Sequence, residues 1–341
     1  MLYFDISDTL VLCSIRNPSR NCLVKLFYAD HFVLPLPEGH RFPMEKYSLL
    51  RKQLMRSGGF SPDDFVVPPA AGDSDILRAH DAIYLDGVVH GTLDQAEQRR
   101  IGFPWSRQMV ERSRRSAGAT LAACRQALVE GCAANLAGGT HHAHRDFGSG
   151  FCVFNDAAIA ALSMRAEGRA RSVAIIDCDV HQGDGTAAIL SGDPDAFTLS
   201  IHGEKNFPFR KARSTLDIEL PDGTGDATYL AALGGGLEEI LEAMKPDLAI
   251  YLAGADPYRD DRLGRLGLSF EGLAARDEMV LRWCVDHGTP VAIAMAGGYA
   301  RIIEDTVAIH AATIATAARF SPALQAAVRG RTARSSAPPR P

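Results

Sequence analysis

The run Val173-Ala174-Ile175-Ile176, followed at once by Asp177-Cys178-Asp179-Val180-His181-Gln182-Gly183-Asp184, constrains the fold more than any other stretch of the chain. Consecutive apolar residues with no polar alternation read as a strand buried on both faces, the habit of a parallel sheet covered by helices. The eight residues that follow hold three carboxylates and an imidazole. In open α/β sheets the ligand site lies at the carboxyl ends of the strands. If the backbone stays roughly extended there, Asp177, Asp179 and His181 project to one side and Cys178 and Val180 to the other. Carboxylate oxygen and imidazole nitrogen suit a catalytic zinc or a similar divalent ion, so the stretch points to hydrolysis by a metal-activated water.

The rest of the chain repeats the pattern. Apolar strands are expected at 173–178, 197–202, 248–253 and 291–296, separated by helical segments at 157–167, 228–244 and 272–286. Met44, Tyr47, Leu50 and Leu54 share one face of a further helix over 43–54, and an Ala-rich helix is expected from Gln108 to Leu136. Strand–helix alternation of this kind specifies a parallel sheet between helices. Gly234-Gly235-Gly236 interrupts an otherwise amphipathic helix at about 1 kcal/mol per glycine, which predicts a bend or an early end.

With 341 residues the chain fits one large α/β domain or two small ones. We expect an N-terminal extension over 1–23, a catalytic domain over 24–320 and a disordered tail over 321–341, where Pro, Ser and Arg accumulate without apolar periodicity. A net charge of -5 gives no electrostatic case for nucleic-acid or membrane binding. No apolar run approaches the ~20 residues that cross a bilayer, and Met1-Leu2-Tyr3-Phe4-Asp5 lacks a basic secretory n-region. Seven scattered cysteines without a Cys-x-x-Cys pair fit a reducing cytoplasm better than a disulfide framework or structural zinc. Cys178 reads as a small buried hydrophobe rather than a redox group.

Other strand ends and loops carry polar groups that complete a site. Gly138-Gly139-Thr140-His141-His142 offers a histidine pair as general base and acid. The strand at 248–253 leads through Gly254-Ala255 to Asp256, a third candidate metal ligand, although aspartate at a strand end is also ordinary turn chemistry. The strand at 291–296 leads through Gly297-Gly298 to Tyr299, either a core tyrosine or a donor to a developing oxyanion. Two carboxylates and one imidazole leave a tetrahedral zinc one position for water. Asp177 and Asp184 are then natural partners to orient the two histidines.

Together with Gly150-Phe151-Cys152-Val153-Phe154-Asn155-Asp156 and Gly254-Ala255-Asp256-Pro257, these motifs closely resemble the zinc-dependent histone deacetylase family of the arginase/deacetylase superfamily, in order and in spacing, from about Val24 to Ala318. The stretch from Asp256 to Leu266 and the sequence Ala296-Gly297-Gly298-Tyr299 look most like the class IV branch and its bacterial relatives. The resemblance implies an α/β fold of the arginase/deacetylase type, with a parallel sheet of about eight strands sandwiched between helices. It implies one zinc per chain on Asp179, His181 and Asp256, a His142–Asp184 general base, His141 with Asp177 in support, and Tyr299 polarising the amide carbonyl. It places Gly150, Phe151, Phe207 and Leu263 along a channel for an acyl-lysine stem, and a structural potassium at Asp177, Asp179, His181, Ser200 and Ile201. The implied substrates are acylated lysine in protein or peptide, or small acylated amines such as acetylpolyamines. A rim aspartate that grips a peptide backbone has no clear counterpart, Asp81 being near the right region, and His31 and His40 either line the entrance or serve as hydrogen-bonded structural groups. An arginase-like enzyme with two manganese ions needs further bridging carboxylates, and Asp256 is followed by Pro257-Tyr258 instead. A metal-containing acyl-lysine binder without catalysis is opposed by a competent residue at every catalytic position.

Overall fold

The computed structural model describes residues 24–335. The expected extension over 1–23, with Cys13 and Cys22, lies outside the described residues. Eight parallel strands form one sheet: β1 (Lys25–Phe27), β2 (Phe65–Val66), β3 (Cys132–Asn135), β4 (Val173–Asp177), β5 (Ala196–Gly203), β6 (Leu216–Leu220), β7 (Leu248–Leu252) and β8 (Val291–Ala294). Their spatial order is β2-β1-β3-β8-β7-β4-β5-β6. The chain thus lays down β3 and β4 with a gap between them, and the last two strands fill it. Ala249 and Ile250 of β7 pair with Ala174 and Ile175 of β4, while Ile293 of β8 pairs with Ala134 of β3.

Alternation along these strands divides the interior into two cores, one on each face. Val173 and Ile175, Leu248 and Ile250, and Ala292 and Ala294 point into one. Ala174 and Ile176, Ala249 and Tyr251, and Val291 and Ile293 point into the other. Cys178 and Val180 continue the second series and are fully buried, as expected of packing residues. The helices are α1 (Lys46–Arg56), α2 (Asp73–Ile76), α3 (Ala82–His90), α4 (Gln95–Ile101), α5 (Arg107–Glu130), α6 (Asp156–Ala166), α7 (Asp184–Ile189), α8 (Asp226–Ala243), α9 (Phe270–His287) and α10 (Ile303–Ser335). Leu233, Leu237 and Ile240 of α8 and Val280, Leu281 and Cys284 of α9 close one core, and Ala119, Ala123 and Ala127 of α5 with Ala157 to Ala161 of α6 close the other.

Three expectations are corrected. The helix predicted from Gln108 to Leu136 stops at Glu130, and Cys132–Asn135 form a central strand. Alanine favours helix locally, but pairing on both edges, with β1 and β8, overrides that propensity. The three glycines at 234–236 do not end α8, which runs through them. Gly236 is where the helix meets the sheet, and a Cβ there would come 2.9 Å from Ile218 and 3.2 Å from Leu199. The tail expected from residue 321 is helical to Ser335 as the end of α10, because Leu324 and Val328 bury against the body and supply the apolar face its composition concealed. Cys124, Cys132, Cys152, Cys178 and Cys284 are buried, and no disulfide joins any two of them. No helix of the described residues is long and apolar enough to cross a membrane.

Candidate active site

The carboxyl ends of the four central strands, β3, β8, β7 and β4, point to one place, and each delivers one of the polar segments. Asp177 ends β4, and its Oδ1 accepts the Asp179 N–H at 3.1 Å. Asp179 Oδ1 accepts the His181 N–H at 2.9 Å, so each carboxylate braces the backbone that carries the next side chain. From β7, Asp256 Oδ1 accepts the Val180 N–H at 2.9 Å. From β8, the Gly297 N–H donates to Asp179 Oδ2 at 2.7 Å. A side chain at Gly297 would collide with the carboxylates of Asp179 and Asp256.

Asp179, His181 and Asp256 offer donor atoms that all lie within 4.8 Å of one another. His181 Nδ1 stands 2.9 Å from Asp179 Oδ1 and 3.3 Å from Asp256 Oδ2, and that Oδ2 is fully buried without a hydrogen bond. Burial and the charge of Asp179 push the Asp256 carboxyl up. Two adjacent buried carboxylates with an oxygen unsatisfied form an arrangement that a divalent cation completes. The triad fits a zinc site with one position left open for water.

Two histidine–carboxylate pairs flank the triad. His141 Nδ1 lies 2.7 Å from Asp177 Oδ2, and His142 Nδ1 lies 2.6 Å from Asp184 Oδ1. Burial pulls the His141 imidazole down, but the charges of Asp177 and Asp179 and the bond to Asp177 outweigh it and raise the group to about 9. Burial and the neighbouring positive charge of His141 lower His142 to about 4 despite its bond to Asp184. Burial alone would raise Asp184, yet the bonds from His142 and His144 hold it well below the usual carboxylate range. The environments thus drive the two adjacent imidazoles in opposite directions.

Tyr299 is buried, its N–H donating to Asp261 Oδ2 at 2.6 Å and its carbonyl accepting from Arg262 Nε at 3.0 Å. Beneath it the buried Lys46 ammonium donates to the carbonyls of Ala296 and Gly298, each at 3.3 Å, and lies 5.1 Å from the Tyr299 ring. Burial keeps the phenol protonated, well above its ordinary range.

These groups open into a single cavity of about 700 Å³ that His141, His142, Asp179, His181 and Tyr299 line together with Gly150, Phe151, Phe207 and Leu263. The Phe207 ring stands edge-on to His142 with centroids 4.9 Å apart, and Phe151 lies 6.3 Å from Tyr299. Ser200 and Ile201 are buried in β5, with Ser200 paired to Asp177. His31 and His40 do not line the cavity; His40 Nε2 is bonded to the Gly102 carbonyl at 2.9 Å, behind Phe151. Asp81 does not line it either; it stands at the N-terminal boundary of α3 without a side-chain capping bond.

Several contributors had no clear mark in the sequence. His144 Nε2 reaches Asp184 Oδ2 at 3.0 Å, giving that carboxylate two histidines. Asn155 Nδ2 donates to the Ala143 carbonyl at 3.0 Å and to Thr186 Oγ1 at 3.0 Å, while its own N–H donates to His80 Nε2 at 2.9 Å. Asp156 accepts the N–H groups of Gly139 and Thr140 at 2.9 and 2.7 Å. Asn155-Asp156 therefore clamps the loop that presents both histidines. Phe42 extends the aromatic wall, 5.3 Å from Phe151 and 6.1 Å from Tyr299. Asn155 and Asp156 belong to the motif from Gly150 to Asp156, but nothing in it spells out their clamp on the histidine loop, and nothing local gives Phe42 or Lys46 a role.

The histone deacetylase domain model matches residues 40–315. An uncharacterised protein of Picosynechococcus is 44% identical over 283 residues, covering 83% of this chain and 94% of that one. Histone deacetylase 2 of Arabidopsis thaliana is 31% identical over 285 residues, covering 79% and 73%. The crystal structure of a histone deacetylase homologue from Aquifex aeolicus superposes with a TM-score of 0.71 at 23% identity, covering 88% of this chain and 83% of that one, a likeness of fold.

Proposed function

Because this chain belongs to the histone deacetylase family, we propose that it is a zinc-dependent deacylase that hydrolyses the amide of acetyl-lysine or a longer acyl-lysine. One observation carries the reading: Asp179 and His181 of a three-donor metal set, the imidazoles of two histidine–carboxylate pairs and a buried tyrosine line the same aromatic-walled cavity. Asp179, His181 and Asp256 would hold the zinc, which when bound would supply Lewis-acid charge toward the amide carbonyl and the attacking water. Around it, this chain's residues divide the remaining work. His142, held in one orientation by Asp184, takes the proton of the attacking water. Tyr299 donates a hydrogen bond to the oxyanion as the carbonyl becomes tetrahedral. His141, with its charge supported by Asp177, stabilises the developing negative charge and assists proton delivery to the leaving amine. Gly150, Phe151, Phe207 and Leu263 hold the apolar stem and exclude water from it. A structural potassium on Asp177, Asp179, His181, Ser200 and Ile201 belongs to the same proposal.

The test is turnover of acetyl-, octanoyl- and myristoyl-lysine peptides by zinc-loaded protein, with inhibition by a hydroxamate. We expect hydrolysis of at least one acyl chain and its loss with inhibitor. Binding without hydrolysis of any of them would make the protein an acyl-lysine binder instead.

A further inference from the structure

The deacylase reading leaves open what surrounds the acylated amine, and the charges around the cavity bear on it. Six cations line the cavity: Arg41, Arg100, Arg112, Lys205, Arg262 and Arg265. Among the described residues the only carboxylate lining it is Asp179, which belongs to the metal donor set. The whole chain carries a net charge of -5, so this cationic lining opposes the overall balance.

The cations are not equally committed. Arg265 pairs with Asp222 at 2.5 Å and Lys205 with Glu204 at 3.1 Å. Arg41, Arg100 and Arg262 are exposed and have no carboxylate within 4.0 Å among the described residues. Two of them have other contacts that hold them at the channel, and the third precedes a ring of its wall in the chain. Arg262 donates to the Tyr299 carbonyl, Arg100 lies over the Phe147 ring at 4.6 Å, and Arg41 adjoins Phe42 of the aromatic wall. Exposed guanidinium groups without carboxylate partners at the mouth of an apolar channel focus a positive field there and retain free N–H forks for carboxylates.

An acylated lysine is neutral along its stem, so the mouth acts on whatever flanks it. We propose that the substrate is an acyl-lysine carried in an acidic peptide segment, whose carboxylates pair with Arg41, Arg100 and Arg262. The same charges repel polycations, including acylated polyamines and lysine-rich tails. This rests on the deacylase assignment but makes a separate claim about selection.

The experiment compares kcat/KM of the zinc-loaded protein on three acyl-lysine peptides alike except for Asp/Glu, Ser/Gly or Lys/Arg flanks, and on a monoacetylated spermidine, at low and at molar salt. The acidic peptide should exceed the basic one by about tenfold or more at low salt, with the ratio shrinking as salt screens the rim. In the Arg41→Glu/Arg100→Glu double variant the ratio should collapse or invert. Equal kcat/KM for all flanks, a ratio indifferent to both salt and charge reversal, or faster turnover of the polyamine would overturn the proposal. If no peptide is hydrolysed, the deacylase reading fails, and fluorescence anisotropy with the same labelled peptides still decides the selectivity. Tighter binding of the acidic peptide would uphold the rim's role, and equal or reversed affinity would refute it.

Discussion

Asp184→Asn is the most informative single change, because it alters charge at the proposed general base with little change of shape. Asp184 Oδ1 accepts from His142 Nδ1 at 2.6 Å, and its Oδ2 accepts from His144 Nε2 at 3.0 Å. An asparagine can keep its oxygen toward His142 and turn its amide nitrogen toward His144, so the ring need not reorient. What is lost is the negative charge facing an imidazole that becomes positive as it takes the water's proton. With about 4 Å between the charge centres and an effective dielectric near 20, that interaction is worth roughly 4 kcal/mol, or about three decades in rate. The amide dipole retains part of it, so we expect kcat to fall roughly 10²- to 10³-fold with little change in KM. Steady-state kinetics on the best acyl-lysine peptide, with zinc content measured on the same samples, decide the matter. A kcat within a few-fold of the parent, at unchanged zinc content, would show that His142 does not act through Asp184.

Tyr299→Phe should lower kcat by roughly 10²-fold or more while zinc remains bound, as loss of an oxyanion donor does; wild-type turnover in that variant would remove Tyr299 from the chemistry. Elemental analysis should find one zinc per chain in the parent and a strong loss in Asp256→Asn. Without metal that variant should melt no lower than the metal-free parent, since it relieves two adjacent buried carboxylates; a markedly lower Tm would contradict this account of the triad. His80 supplies a pH test of stability remote from the metal donors. Burial lowers it from 6.5 to about 4, so between these values the unfolded chain binds more of its protons. Its contribution is complete above pH 6.5 and declines by about 3 kcal/mol as pH falls to 4. Denaturant melts across that range should therefore fall less steeply for His80→Gln than for the parent, and parallel curves would refute the assignment.

Much of the site was legible because its residues follow apolar runs. Asp177 through Asp184, Asp256 and Tyr299 each stand just past a strand that periodicity reveals, and in an open parallel sheet that position is where ligands sit. The histidine pair is legible from its glycine turn, although local propensity reads the strand before it as helix. Cys132-Ala133-Ala134 has no β-branched residue to betray it, and only β1 and β8 on either side make it a strand. The α10 extension was concealed in the same way, by a composition that reads as solvated until Leu324 finds the core.

The residue types and their local placement determined the chemistry this chain can perform: carboxylates and imidazoles at strand ends, hard donors for a divalent ion, a phenol on a glycine turn. The tertiary structure decided which of them meet. Filling the gap between β3 and β4 with β7 and β8 brings Asp256 and Gly297 against Asp179, 118 residues before Gly297 in the chain. It also sets Lys46 beneath Tyr299, Asn155-Asp156 behind the histidine loop, and uncommitted arginines around the mouth. Periodicity is a property of neighbouring residues, whereas the lateral order of parallel strands is set by packing between distant ones and leaves no mark within any single strand.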